Sequence, residues 1–217
     1  MHDTTIIPTI LTDNPATYKS MIETFNAFTK RIQVDITDGD FTANRTILLN
    51  NVWWPQGWQV DLHMMVSRPS EYLPTLLQLK PSLVIFHAEV SEDLTPTFQQ
   101  LKTAGIKTGL ALLKTTYPGD VQSYIRAADH VLVFAGTLGQ QGGTADMMQI
   151  EKIPLIKAVK QNVEIGWDGG ANLDNIRTLA HSGANVINVG SAISNAPDPA
   201  AAYRALMEEA DKRGVKL

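Results

Sequence analysis

Asp35, His63 and Asp168 each close a short apolar run, in Ile32-Gln33-Val34-Asp35-Ile36, Asp61-Leu62-His63 and Trp167-Asp168-Gly169-Gly170. Gln33 and Asp35 are two residues apart, so on a strand their side chains share one face. A buried carboxylate needs a partner, and two carboxylates with an imidazole make a natural site for a divalent metal ion. Each residue alone has a plainer reading. A histidine at a strand end is commonly a hydrogen-bonded core residue, and an aspartate there commonly caps a turn or the next helix. Three such groups at the same end of separate strands point instead to one pocket. Glycine placement gives a second signal. Asp168-Gly169-Gly170 and Val189-Gly190-Ser191-Ala192 both follow apolar runs, where glycines let backbone N–H groups approach an anion such as phosphate. Either motif alone could be a tight turn.

The elements that must position these groups alternate along the chain. Strands are predicted at 5–10, 31–36, 59–63, 83–87, 107–112, 130–134, 163–167 and 185–189, mostly as near-continuous apolar runs of the kind parallel strands show. Helices are predicted at 16–29, 69–79, 95–104, 119–128, 147–160, 173–182 and 199–212. Pro69 and Pro199 suit first-turn positions, and Gly105 and Gly183 suit helix ends. Eight strands with intervening helices predict an α/β fold, a (β/α)8 TIM barrel over residues 1–217, with its chemistry at the C-terminal ends of the strands. In such a barrel, glycines after strands seven and eight form the usual phosphate site. Residues 38–57 are the least regular part and read as a long loop with a short helix. Trp53, Trp54 and Trp58 read as core or subunit-contact residues rather than a binding cage. His130 and His181 read as peripheral.

Composition narrows the function class. Lys plus Arg number 18 and Asp plus Glu 22, giving a net charge of −4, so there is no basic excess for a nucleic-acid partner. The absence of cysteine excludes disulfides, thiolate nucleophiles and Cys-ligated zinc. No apolar run approaches the roughly 20 residues that cross a bilayer, and Met1-His2-Asp3-Thr4 lacks the order of a signal peptide. A cytoplasmic protein without a membrane partner is expected.

With these residues in hand, the chain resembles the ribulose-phosphate 3-epimerase family. The resemblance runs from Pro8-Thr9-Ile10-Leu11 through Val34-Asp35-Ile36-Thr37-Asp38-Gly39, Asp61-Leu62-His63-Met64-Met65-Val66 and Phe86-His87-Ala88-Glu89. It ends in Asp168-Gly169-Gly170 and Gly190-Ser191-Ala192-Ile193. It implies an isomerase of the TIM-barrel, ribulose-phosphate-binding type, inverting C3 of a phosphorylated ketose such as D-ribulose 5-phosphate. Asp35 and Asp168 would be acid and base and, with His63, ligands of a divalent ion (Zn, Mn, Mg or Fe). Gly142, Gly170, Gly190 and Ser191 would bind phosphate, and Thr9, Met65 and Phe134 would line the substrate. A homo-oligomer is expected.

The chain departs from the family pattern in the same pocket. Gln33 replaces the family's fourth metal ligand, a histidine, and an amide oxygen is a weaker donor to zinc than imidazole, so weak or absent metal is expected. Thr37 and Phe134 stand where methionines line the family's site, and Thr9 stands for a serine. The loop after strand six reads Thr137-Leu138-Gly139-Gln140-Gln141-Gly142-Gly143 in place of N-P-G-F-G-G. Two further readings are therefore carried forward: a non-catalytic phosphosugar-binding member, and an epimerase for a different ketose phosphate. His87 and Glu89 could orient His63 or Asp35, or cap their strand.

Overall fold

Eight parallel strands close into a barrel in chain order: β1 (Thr5–Ile10), β2 (Arg31–Thr37), β3 (Gln59–Met65), β4 (Leu83–His87), β5 (Lys107–Leu112), β6 (His130–Phe134), β7 (Glu164–Asp168) and β8 (Val186–Val189). The computed structural model describes residues 4–212; Met1, His2 and Asp3, and residues 213–217, lie outside them. The helices are α1 (Pro15–Phe25), α2 (Pro69–Leu79), α3 (Thr95–Thr103), α4 (Gln122–Ala127), α5 (Lys152–Val159), α6 (Ile176–His181), α7 (Ser191–Ser194) and α8 (Pro199–Ala210). This is the expected TIM barrel. Among the described residues no helix is long and apolar enough to cross a membrane.

The helices form where caps and periodicity coincide. Asn14 Oδ1 accepts from the N–H groups of Ala16 and Thr17 at the start of α1, whose Tyr18, Ile22 and Phe25 form the buried stripe. Pro69 and Pro199 open α2 and α8. Gly105 and Gly183, with φ of 78° and 98°, follow α3 and α6, in the left-handed region where glycine is least strained.

Where elements differ from expectation, local chemistry explains it. The stretch 147–160 divides into a 3-10 turn, Met147–Glu151, and α5. Pro154 has no N–H to continue a helix from 147, but it is tolerated in the first turn of a new one. Pro118 likewise begins a 3-10 turn, Pro118–Val121, ahead of α4. Residues 172–175 stay out of α6 because Asn172 Oδ1 takes the Asp174 N–H and Asn175 Oδ1 takes the Asn172 N–H. Between β2 and β3 the only helical turn is 3-10, Leu49–Asn51. Trp58 is buried there, Trp54 packs on the core and Trp53 is half-exposed with its ring edge against Tyr18.

The barrel interior has two unlike halves. Leu83, Ile85, Ala111 and Leu132, at alternate positions of β4, β5 and β6, form a buried apolar cluster separate from the main core. The other strands bury Thr9, Gln33, Asp35, Asp61, His63 and Asn188. On the β4-β5-β6 side the apolar cluster lies between His87, at the end of β4, and His130, at the start of β6, both of them buried.

His130 is not peripheral, contrary to the sequence reading. It is buried at the start of β6 and its Nδ1 lies 2.7 Å from Glu164 Oε2. Gly166 on β7 makes room for it, since a Cβ there would lie 2.3 Å from His130 Nε2. Arg31 completes this barrel floor, with Nε 3.0 Å from Asp61 Oδ2 and both Nη atoms on Glu164 at 3.2 and 3.1 Å. Burial alone would raise the Glu164 carboxyl, but His130 and Arg31 outweigh it and hold the group well below the usual carboxylate range. A depressed folded-state pKa stabilises the fold above the unfolded value and loses that contribution as pH falls below it. Glu164→Gln should therefore cost about 2 kcal/mol near neutrality, and the gap from the parent should narrow as pH drops from about 4.5 towards 3. Urea unfolding at several pH values would check this.

Candidate active site

Asp35 and His63 are register neighbours on β2 and β3, and Asp168 ends β7, three strands away around the barrel. Closure brings them together. His63 Nδ1 lies 3.2 Å from Asp35 Oδ1 and 3.4 Å from Asp168 Oδ2. Gln33, two residues before Asp35 on the same face, donates from Nε2 to Asp35 Oδ1 at 2.8 Å and to Asp168 Oδ2 at 2.6 Å. The amide therefore spans the two carboxylates.

The electrostatics follow from that crowding. Asp35 is raised above the usual carboxylate range, first by burial and also by the Asp168 charge, against the opposing pull of His63 and Gln33. Burial alone would lower the His63 imidazole, but hydrogen bonds and attraction from Asp168 and Asp35 lift it to about 9. His87 goes the other way, to about 4, because burial and the neighbouring His63 outweigh Glu89.

One proton arrangement satisfies the whole chain of contacts. A doubly protonated His63 donates from Nδ1 to the carboxylates and from Nε2 to His87 Nε2 at 2.8 Å. A neutral His87 accepts there and donates from Nδ1 to Glu89 Oε2 at 3.3 Å. Glu89 Oε1 is fixed in turn by the N–H of Leu113, at 2.9 Å, and the hydroxyl of Thr116. Glu89 therefore braces His87, and His87 braces His63. Phe134 and Phe41 pack against the imidazole rings, Phe134 with its centroid 5.9 Å from both and Phe41 4.9 Å from His87.

A cavity opens above these groups at the C-terminal mouth of the barrel. Asp35 and Asp168 reach it, and Thr9, Met65 and Phe134 line it, as do Gly142, Gly170, Gly190 and Ser191. Thr37 is buried beside it, its N–H taken by Thr46 Oγ1. Gly170 has φ 69°, and a Cβ there would lie 2.1 Å from the Ala145 nitrogen. Its carbonyl accepts from the side-chain amides of Asn172 and Asn175.

The loop after β6 roofs this end. Its tip is held by Thr42 Oγ1 on the Leu138 carbonyl and Asn44 Nδ2 on the Gly139 carbonyl, at 3.3 and 2.6 Å. Gln141 Nε2 reaches the Thr9 carbonyl at 3.4 Å. A Cβ at Gly190 would meet that same Nε2 at 3.1 Å, so crowding at 190 would fall first on the glutamine of the loop.

The sequence reading missed Gln140, Gln141 and Asn188, all in the cavity wall. The signal for Asn188 was present, since it is the one polar residue in Val186-Ile187-Asn188-Val189. The two glutamines stand on an irregular loop, where no periodicity marks a direction.

The donor set also fits a divalent cation. One ligand atom each from Asp35, His63 and Asp168 lie within 4.8 Å of one another. Gln33 Oε1 is buried with no hydrogen-bond partner, and a half-turn of the amide would present that oxygen in place of Nε2.

Comparison with known proteins bears on these features. The model of the ribulose-phosphate 3 epimerase family matches residues 5–194. The chain is 27% identical over 182 residues to ribulose-phosphate 3-epimerase of Aquifex aeolicus, covering 81% of this chain and 82% of that one. It is 30% identical over 187 residues to the cytoplasmic isoform of ribulose-phosphate 3-epimerase of Oryza sativa subsp. japonica, covering 83% and 82%. Among solved structures, 3-hexulose-6-phosphate synthase from Salmonella typhimurium superposes with a TM-score of 0.74 at 18% identity, over 95% of this chain and 98% of that one. KGPDC from Streptococcus mutans gives 0.73 at 12% identity, over 96% and 97%. At such identities the structures speak for the barrel fold alone.

Proposed function

The chain belongs to the ribulose-phosphate 3 epimerase family, and from that premise we propose that it inverts C3 of a phosphorylated ketose, D-ribulose 5-phosphate or a close relative. The observation that carries this reading is the convergence of Asp35 and Asp168 on one cavity, spanned by a single Gln33 amide. A non-catalytic sugar-phosphate binder gains nothing from two crowded carboxylates, one of them raised by burial and repulsion.

In the proposed reaction one carboxylate removes the C3 proton and the other returns a proton to the opposite face of the planar enediolate. Gln33 and His63 hold both carboxylates in place by donating to them. Asp35, Asp168, His63 and the Gln33 oxygen would hold a zinc, manganese, magnesium or iron ion, which when bound would neutralise charge developing on the carbonyl oxygen. Backbone N–H groups at Gly142, Gly170, Gly190 and Ser191 would fix the phosphate, and Thr9, Met65 and Phe134 would line the sugar. The rice relative is a cytoplasmic isoform, and a cytoplasmic location accompanies this reading.

The deciding experiment incubates the protein with ribulose 5-phosphate in deuterated water and follows C3 by proton NMR. Deuterium entry with inversion supports the epimerase. Binding without exchange would replace it with a sugar-phosphate-binding role. At the phosphate end, inorganic phosphate should compete with substrate, and Gly170→Ala should weaken both by about tenfold or more, because its Cβ forces the Ala145 backbone away. Equal affinity for a ketose with and without its phosphate would remove this site from the mechanism.

A further inference from the structure

We infer that Asn188 is a substrate-recognition residue, reading with Thr9 a hydroxyl on the sugar between the phosphate and the reacting carbon. The inference rests on the epimerase reading for the identity of that carbon. Asn188 is 3% exposed on β8, among Val186, Ile187 and Val189. Its Oδ1 is buried and has no hydrogen-bond partner, and the same holds for Thr9 Oγ1 on neighbouring β1. Both residues line the cavity. A buried acceptor left unpaired costs folding free energy, which an apolar residue of similar size would avoid. A polar group kept at such a position, facing a cavity, is explained by a ligand that donates to it.

Position along the chain and across the sheet says which part of the ligand. Asn188 is the register partner of Asp168 on β7 and stands two residues before Gly190. It therefore sits between a proton-transferring carboxylate and the phosphate-binding glycines. In a ketose 5-phosphate inverted at C3, the group lying there is the C4 carbinol; in a ketose 6-phosphate it is the C4 and C5 carbinols. The opposite wall of the barrel carries the apolar Leu83, Ile85, Ala111 and Leu132, and its one polar group at site level, His87, is already engaged with His63 and Glu89. The β8-β1 side is thus the one equipped to read hydroxyls. The substrate class is a ketose phosphate bearing a free hydroxyl next to the reacting carbon on its phosphate side, and 4-deoxy sugars are rejected.

The test is calorimetric binding of D-ribulose 5-phosphate and its 4-deoxy analogue to the parent, to Asn188→Leu and to Asn188→Ser. The parent should prefer the hydroxylated sugar by about 10- to 100-fold. Asn188→Leu should fold at least as stably, because it removes an unpaired buried group, and should lose most of the parent's preference, keeping only what Thr9 supplies. Asn188→Ser should fall between, and it carries the comparison alone if the leucine variant does not fold. A parent that binds both sugars equally, or neither, overturns the assignment, as does a variant that keeps the parent's preference. Deuterium exchange at C3 in the parent judges the epimerase reading separately. Exchange with undiminished discrimination in the variants defeats only the role of Asn188, and discrimination without exchange defeats only the epimerase.

Discussion

Asp35→Asn and Asp168→Asn should each stop inversion at C3, with kcat falling by about a thousandfold or more. A carboxamide neither takes the proton from carbon nor returns one, and inversion needs a competent group on each face. Each variant still keeps one carboxylate. It should therefore exchange the C3 proton of one epimer only, from the face its remaining aspartate addresses, and return it without inversion. Loss of inversion with one-sided deuterium entry is a signature that general damage to the site would not produce. Stability gives the complementary control. Asp35 is raised by burial and by the Asp168 charge, so neutralising either member relieves repulsion while the amide oxygen still accepts from Gln33 and His63. Both variants should melt at or above the parent temperature, as substitutions at strained catalytic groups commonly do. Near-normal turnover in either variant would show that the two-carboxylate mechanism is wrong.

The barrel and half of the site were legible because parallel strands write their direction into the chain. Val34 and Ile36 flank Asp35, and Leu62 precedes His63, so each polar residue stands out against an apolar strand and alternation assigns its face. The barrel then dictates convergence, since Asp35 and Asp168 are 133 residues apart in sequence and meet only on closure. What alternation cannot convey is which inward groups share a level. His130 reads as peripheral because its partner Glu164 lies on the next strand, and the glycine that admits its ring, Gly166, has no local role that would mark it. The same limit left two readings open for His87 and Glu89, orienting His63 or Asp35 or capping their strand. The contact of His87 with His63, which depends on both rings turning towards each other, agrees with the first. The division of residues 147–160 was legible in Pro154, but the apolar periodicity running through it masks the break.

Gln33→His should raise affinity for zinc by at least about a hundredfold, the upper end of what losing even an outer partner of a metal ligand costs, and should raise epimerase activity with it. In the parent, Gln33 turns its amide nitrogen to both carboxylates, at 2.8 and 2.6 Å, and leaves its oxygen buried and unpaired. This arrangement places hydrogen-bond donors where a cation would otherwise balance the charge. To admit an ion, the amide must turn and give up both hydrogen bonds, and the ion must displace the proton that the carboxylates hold on His63. The reward is one neutral oxygen ligand, which manganese or magnesium accepts more readily than zinc. An imidazole at 33 changes that balance by supplying the nitrogen that zinc prefers. The parent should accordingly purify with less than one metal ion per chain, and the histidine variant should approach one, measured by elemental analysis and by titration against a chelator of known affinity. Full zinc occupancy in the parent, unchanged in Gln33→His, would show that the bridging amide yields to the ion at no measurable cost and that position 33 does not govern the metal.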